Sequence, residues 1–275
     1  MNILDSSAIK GFIKLTDDGS RMGWHERNGG NLSYRMKPEE LKELEGELIT
    51  GGDWIPIGRA LHDLAGEYFL VTGTGKYFRN VILDPEDNIT IVELDSEGEN
   101  YRLRWGLSSG GGPTSEFASH LVCHAAKKHE SGGTSRVVYH AHPPNIIAMT
   151  FVLPLSDYVF TRELWQLISE CCIVFPKGIG VLEWMVPGNN EMAEATARKI
   201  KEYDAIIWPH HGMFATGDTF DEAFSLMHTI EKSAEIWIKI KSTGMEIRQT
   251  ITSDNLKALE HAFAINLPER FLSGE

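Results

Sequence analysis

His140 and His142, in "RVVYHAHPPN" (residues 136–145), stand two apart at the end of a run that reads as a strand. Side chains at i and i+2 leave a strand on one face with Cα atoms roughly 6.5 Å apart, so both imidazoles can converge on one ion. A second pair, His210 and His211 in "AIIWPHHG", ends another apolar run. Neighbours on an extended chain point in opposite directions, so only one of that pair can join His140 and His142. Three neutral nitrogen donors leave one position of a zinc ion open, which a catalytic zinc needs for a water or substrate oxygen. Spacing alone leaves a second reading open, in which all four histidines are polar residues at strand ends.

Three glycine loops form a second constellation: "NGGN" (28–31), "TGTGK" (72–76) and "SSGGGPTSE" (108–116). The second is not a nucleotide P-loop, because Leu70 stands five before Gly75 and Tyr77 follows the lysine where Ser or Thr belongs; it also lacks the third glycine of a dinucleotide fingerprint. Each loop taken alone reads as a turn, yet all three combine glycine with Asn, Thr or Ser, the mixture that surrounds an anion with N–H and hydroxyl donors. Glu116, behind the third loop, either favours a helix dipole or serves as a base beside a metal-bound substrate. Lys76 could in principle form a Schiff base, but nothing around it makes a desolvated apolar pocket. His120 and His124 share a helix face with Glu116 and read as exposed polar positions. Glu170, ending "TRELWQLISE", is not singled out by spacing.

The elements that must position these groups alternate in type. Residues 5–23 carry Ile9, Phe12, Ile13 and Met22 at helical spacing. "NLSYRM" alternates as a strand, "KPEELKELEGEL" reads as a charged helix, and "EYFLVTG", "NITIVELD" and "YRLRWGL" as three strands. "TSEFASHLVCHAAKKH" reads as a helix with a capping hydroxyl at its start, followed by the "RVVYHAH" strand and helices over 144–152 and 161–171. "CIVF" and "GVLEW" read as short strands, "NEMAEATARKIKEY" as a helix, and "AIIWPHHGMFATG" as a strand, a break and a return strand. The clearest helix is "TFDEAFSLMHTIEKSAEIWIKIK", where Thr219 and Glu222 form a capping box and Phe220, Phe224, Met227, Ala234 and Trp237 mark one face for core or subunit contact. With no repeat, low-complexity tract or linker, one α/β domain over residues 1–275 is expected.

Composition narrows the classes further. The chain has 275 residues, 42 % hydrophobic and 24 % charged, as an ordinary globular protein has, and no apolar run reaches the ~18 residues that span a bilayer. A formal charge of −13 argues against nucleic acid as a partner, while glycine loops can still hold a phosphorylated small molecule. Cys123, Cys171 and Cys172 cannot build a disulfide framework, and no secretory signal is visible, so a cytoplasmic location is expected.

Taken together, "ERNGGNLSYR", "LVTGTGKYFRN", "PTSE", "YHAHPPN", "FTRELWQ", "VFPKGIGVLEWMVPG" and "WPHHG" resemble the class II aldolase/adducin family over nearly the whole chain. "HAH" with a later "HG" is shared across that family, whereas "GTGKYFRN" and "WMVPG" are similar to its branch acting on L-rhamnulose 1-phosphate. The resemblance implies a three-layer α/β/α fold with a mainly antiparallel central sheet, one zinc per subunit, and a four-fold symmetric homotetramer with active sites at subunit interfaces. It implies zinc ligands His140, His142 and His211, with His210 where an aromatic residue can occur. Glu116 matches a carboxylate that contacts zinc at rest and acts on substrate, and Glu170 one that reaches a neighbouring subunit's site. Asn28, Gly29, Asn31, Thr74, Gly75, Thr114 and Ser115 match phosphate-binding positions. The implied reaction is retro-aldol cleavage of L-rhamnulose 1-phosphate to dihydroxyacetone phosphate and L-lactaldehyde, zinc dispersing the charge left on the ketose fragment. A carboxylate takes the C4 hydroxyl proton and an acid returns one to carbon. Cleavage of L-fuculose phosphate and 4-epimerisation of a pentulose phosphate are the alternatives on the same scaffold, and a zinc hydrolase is the unrelated one.

Overall fold

A computed structural model describes residues 2–188 and 190–273. Along the chain it places α1 (Ser7–Arg21), β1 (Asn31–Arg35), α2 (Pro38–Leu44), β2 (Ile55–Pro56), β3 (Tyr68–Thr72), α3 (Phe78–Val81), α4 (Pro85–Asn88), β4 (Ile89–Leu94) and β5 (Asn100–Gly106). After these come α5 (Phe117–Glu130), β6 (Val137–Ala141), α6 (Pro144–Met149), α7 (Asp157–Trp165), α8 (Glu170–Val174), β7 (Gly180–Val181) and α9 (Asn190–Lys199). The hairpin β8 (Ala205–Trp208) and β9 (Gly212–Gly217) leads to α10 (Phe220–Ser242), α11 (Ser253–Phe263) and α12 (Glu269–Leu272).

The strands form one sheet in the order β2-β5-β4-β3-β1-β6-β9-β8-β7. Every neighbouring pair is antiparallel except β7 with β8. Alternation along β3 shows why both faces must be covered. Phe69 and Val71 join Val92, Leu94 and the α5 residues Phe117 and Leu121 in one core, while Leu70 joins Ile89, Ile91, Phe12, Met227 and Ile230 in the other. Helix α5 thus lies over one face and α1 and α10 over the opposite one, giving three layers, α/β/α. Thr219 and Glu222 cap α10 reciprocally, as their spacing requires.

Three segments differ from the sequence expectation. "CIVF" is helical over its first three residues, within α8, with Phe175 as the C-cap; a short apolar run has no period that separates strand from helix. The helix expected over 161–171 runs instead from Asp157 to Trp165, started by Ser156, whose Oγ accepts from Val159 N. A capping hydroxyl is also absent from the first turn of α5: its N-cap is Glu116, and Thr114 stands in the loop before it, Oγ1 accepting from Glu116 N at 3.4 Å. The α11 capping box, Thr252 with Asn255, was not anticipated.

Candidate metal and phosphate site

The register of β1, β6 and β9 builds the site. His140 is buried in β6, opposite Asn31 of β1 and Phe214 of β9. His142 follows one alternation later, its N–H donating to Trp24 O at 3.0 Å. "HPPN" then enters α6, with Pro143 as N-cap and Pro144 at the first position, where no N–H is lost. Glu231 of α10 receives the amides that remain: Asn145 N at 3.0 Å, Asn145 Nδ2 at 2.7 Å and Ile146 N at 2.9 Å. The chain after the histidine pair is therefore clamped to the longest helix.

The third imidazole comes from the β8–β9 turn. His210 sits in the left-handed region at φ 60°, its N–H donating to Thr150 Oγ1 at 3.1 Å, and this turn presents its neighbour to the cluster. Gly212 is required next. A Cβ there would lie 2.9 Å from His142 Cδ2 and 3.0 Å from His140 Cε1, where the rings already stand.

His140, His142 and His211 each offer a nitrogen within 4.8 Å of the others. His140 Nδ1 donates to Met213 O at 3.1 Å and His142 Nδ1 to Glu26 Oε1 at 2.6 Å, so each Nε2 carries a lone pair. Those two Nε2 atoms face each other at 3.3 Å. Two lone pairs repel at that separation unless a cation lies between them; the edge of a tetrahedron with Zn–N bonds of 2.0–2.1 Å is about 3.4 Å. His211 Nδ1 is buried without a hydrogen-bond partner among the described residues, an unsatisfied polar atom of the kind a bound cation satisfies. Burial pushes the His140 imidazole well below its ordinary value and His211 down to about 4, so both are neutral donors at pH 7. The residues fit a zinc ion.

A cavity of about 170 Å³ joins this cluster to all three glycine loops, lined by Asn28, Gly29, Gly30, Asn31, Gly73, Thr74, Gly75, Thr114, Ser115, Glu116, His140, His142 and His211. Glu116 Oε2 accepts from Asn31 Nδ2 at 2.6 Å, and among the described residues nothing engages Oε1. Burial holds this carboxyl above the usual range, against the Asn31 hydrogen bond, which favours the charged form. A carboxylate raised toward neutrality beside a metal site is suited to proton transfer.

Every expected site residue but one lines this cavity. Glu170 begins α8 and is exposed, away from the lining. Lys76 is also elsewhere, its ammonium held by Asp87 at 2.7 Å and Ser109 at 3.0 Å. His120 and His124, expected at the surface, are fully buried against β1. Three supporting residues were not anticipated: Glu26, which orients His142; Glu231, which anchors α6; and His25. The last pins the first loop between Gly29 O at 3.0 Å and Tyr139 Oη at 2.8 Å, stacked on Phe78. Glu26 and His25 adjoin "NGGN", and that adjacency was the available signal.

The model of the class II aldolase and adducin N-terminal domain matches residues 12–238 of this chain. A rhamnulose-1-phosphate aldolase of Mannheimia succiniciproducens is 45 % identical over 264 residues, 96 % of this chain and 97 % of the relative. That of Escherichia fergusonii is 43 % identical, over 96 % of each. Among solved structures, a sugar-phosphate aldolase from Thermotoga maritima superposes with a TM-score of 0.75 at 28 % identity, covering 87 % of this chain and 97 % of that one. An L-fuculose-1-phosphate aldolase from Thermus thermophilus, at 22 % identity and a TM-score of 0.56, shares the fold over 87 % of this chain and 97 % of its own.

Proposed function

Because the chain belongs to the class II aldolase and adducin family, we propose that its histidine cavity cleaves L-rhamnulose 1-phosphate between C3 and C4, releasing dihydroxyacetone phosphate and L-lactaldehyde. It is a carbon–carbon lyase of rhamnose breakdown. The observation that carries the reading is that three convergent imidazoles, a buried carboxylate and three glycine loops share one cavity. The whole chain, residues 1–275, serves as one catalytic unit, since a single sheet carries both histidine strands and the loops.

His140, His142 and His211 hold one zinc per subunit. When bound there, the ion supplies a Lewis acid for the negative charge that develops on the ketose oxygens as the bond breaks. The chain's own residues do the rest. Asn28, Gly29, Thr74, Gly75, Thr114 and Ser115 surround the phosphate with N–H and hydroxyl donors; Asn31 adds its remaining amide hydrogen. The C4 hydroxyl must lose a proton and the ketose fragment must regain one at carbon, and these two transfers fall to Glu116 and Glu170. Glu170, away from the cavity of its own chain, reaches that of a neighbour in a homotetramer. Three buried free thiols accord with the reducing cytoplasm, where we place the reaction. Among the described residues, no helix is long and apolar enough to cross a membrane.

The test is a coupled assay for dihydroxyacetone phosphate released from L-rhamnulose 1-phosphate by zinc-loaded protein. Release from L-fuculose 1-phosphate at a higher kcat/KM would overturn the substrate assignment, and release from neither would overturn the aldolase reading.

A further inference from the structure

Between β1 and α5 lie four buried polar side chains, Asn31, Ser33, His120 and His124, in an interface that would be costly unless every one were bonded. Asn31 and Ser33 are two apart on the face of β1 that meets α5; Glu116, His120 and His124 are four apart on the facing side of the helix. Two strand residues advance about 6.8 Å and four helix residues about 6 Å, so the two series stay in step.

The contacts form one line. Asn31 Nδ2 donates to Glu116 Oε2 at 2.6 Å, and His120 Nε2 donates to Asn31 Oδ1. Ser33 Oγ donates to His120 Nδ1 at 2.7 Å and accepts from His124 Nε2 at 2.8 Å. Each direction forces the next. The Asn31 amide that gives its NH2 to the Glu116 oxygen has only its carbonyl left for His120. Burial keeps both imidazoles neutral, so His120, having donated through Nε2, must accept through Nδ1. Only the Ser33 hydroxyl can serve there, and its oxygen is then left for His124.

We propose that His120 and His124 are positioning residues for bond cleavage: their one-way hydrogen-bond chain locks the Asn31 amide with its NH2 toward Glu116, and so holds that carboxylate where it moves the proton. The proposal rests on the role given above to Glu116. Without the His120 donor the Asn31 amide can rotate, present its carbonyl to Glu116 and displace it.

The test is a mutant cycle with zinc content measured alongside kinetics. His120→Leu should lower kcat about 10- to 100-fold with zinc retained, and raise KM by a smaller factor, about 3- to 10-fold at most, as the rotated Asn31 amide also leaves the phosphate. His120→Gln, whose amide can still donate to Asn31 Oδ1, should recover most of that loss. In a Glu116→Gln background, His120→Leu should cost less than about twofold more, because the group it positions is already gone. Equal losses in both backgrounds, zinc lost in step with kcat, or no recovery in His120→Gln would overturn the proposal. Near-normal turnover of Glu116→Gln by itself would instead remove the Glu116 assignment, and the proposal with it. Should His120→Leu fail to fold, Ser33→Ala, which deletes one oxygen, decides by the same cycle, with an expected kcat loss of about 3- to 10-fold.

Discussion

Replacing His124 by Gln should change how the metal-free protein responds to acid. Burial holds His25 and His120 at about 3, and burial together with neighbouring His120 holds His124 well below its ordinary value. In the unfolded chain each titrates near 6.5. Below that pH the unfolded chain binds protons that the native chain refuses, so stability falls as pH drops from 6.5 toward the folded values. One such histidine contributes about 1 kcal/mol per pH unit, and the three together roughly 3, a large share of the 5–15 kcal/mol that holds a domain folded. Glu116 and Glu231, both raised by burial, act in the opposite sense, taking up protons in the native state before the unfolded chain does as pH falls. Both carboxyls are common to parent and variant, so the difference in slope between them from about pH 6.5 to 5.5 isolates His124. Urea unfolding in chelator at fixed protein concentration should give a slope of stability against pH shallower for His124→Gln than for the parent by about 1 kcal/mol per unit. Parallel slopes would refute the argument, since they would mean that His124 is protonated in the folded protein or that it is not buried.

Elemental analysis of His211→Ala should show zinc reduced from one per chain, because two imidazoles leave the ion under-coordinated; undiminished zinc would remove that ligand. His210→Phe should keep the metal, since the His210 imidazole faces Thr150 and Phe151 instead of the cluster, and zinc loss there would reverse the choice between neighbours. Thr74→Ala should raise KM for the phosphorylated ketose several-fold more than for its unphosphorylated analogue; equal effects would take Thr74 out of the phosphate site. Chains carrying Glu116→Gln, reassembled with chains carrying Glu170→Gln, should regain part of the lost activity, because some interfaces then unite an intact Glu116 with an intact Glu170. Mixed tetramers that form without recovery would place Glu170 outside a neighbour's site.

What the sequence reveals of this site follows from periodicity. His140 and His142 are readable as a convergent pair because strand alternation is rigid; the same rule admits only one of His210 and His211, and it is the resemblance, through the glycine that follows, that selects His211. Glu116 and the loops are readable as residue types, each loop mixing glycine with Asn, Thr or Ser, but the cavity that joins these three distant segments depends on strand register. Asn31 stands beside the metal cluster because it pairs with His140 across β1 and β6, over a hundred residues away in the chain. No local pattern encodes that pairing.

His120 and His124 show where the same reasoning misleads. A helix face carrying Glu116, His120 and His124 is polar at i, i+4 and i+8, and such a face ordinarily meets water. Here it meets a strand whose inward positions are also polar: β1 presents Asn31, Ser33 and Arg35 on one side and Leu32 and Tyr34 on the other, all buried. Each element alone looks like a solvated surface, and only the pair satisfies itself. The usable signal was on the strand, because β1 sits centrally between β3 and β6 and has no solvent side on which to put Asn31 and Ser33. A central strand with polar residues at i and i+2 demands polar partners above it, and a helix with histidines at i and i+4 is the element whose spacing can supply them.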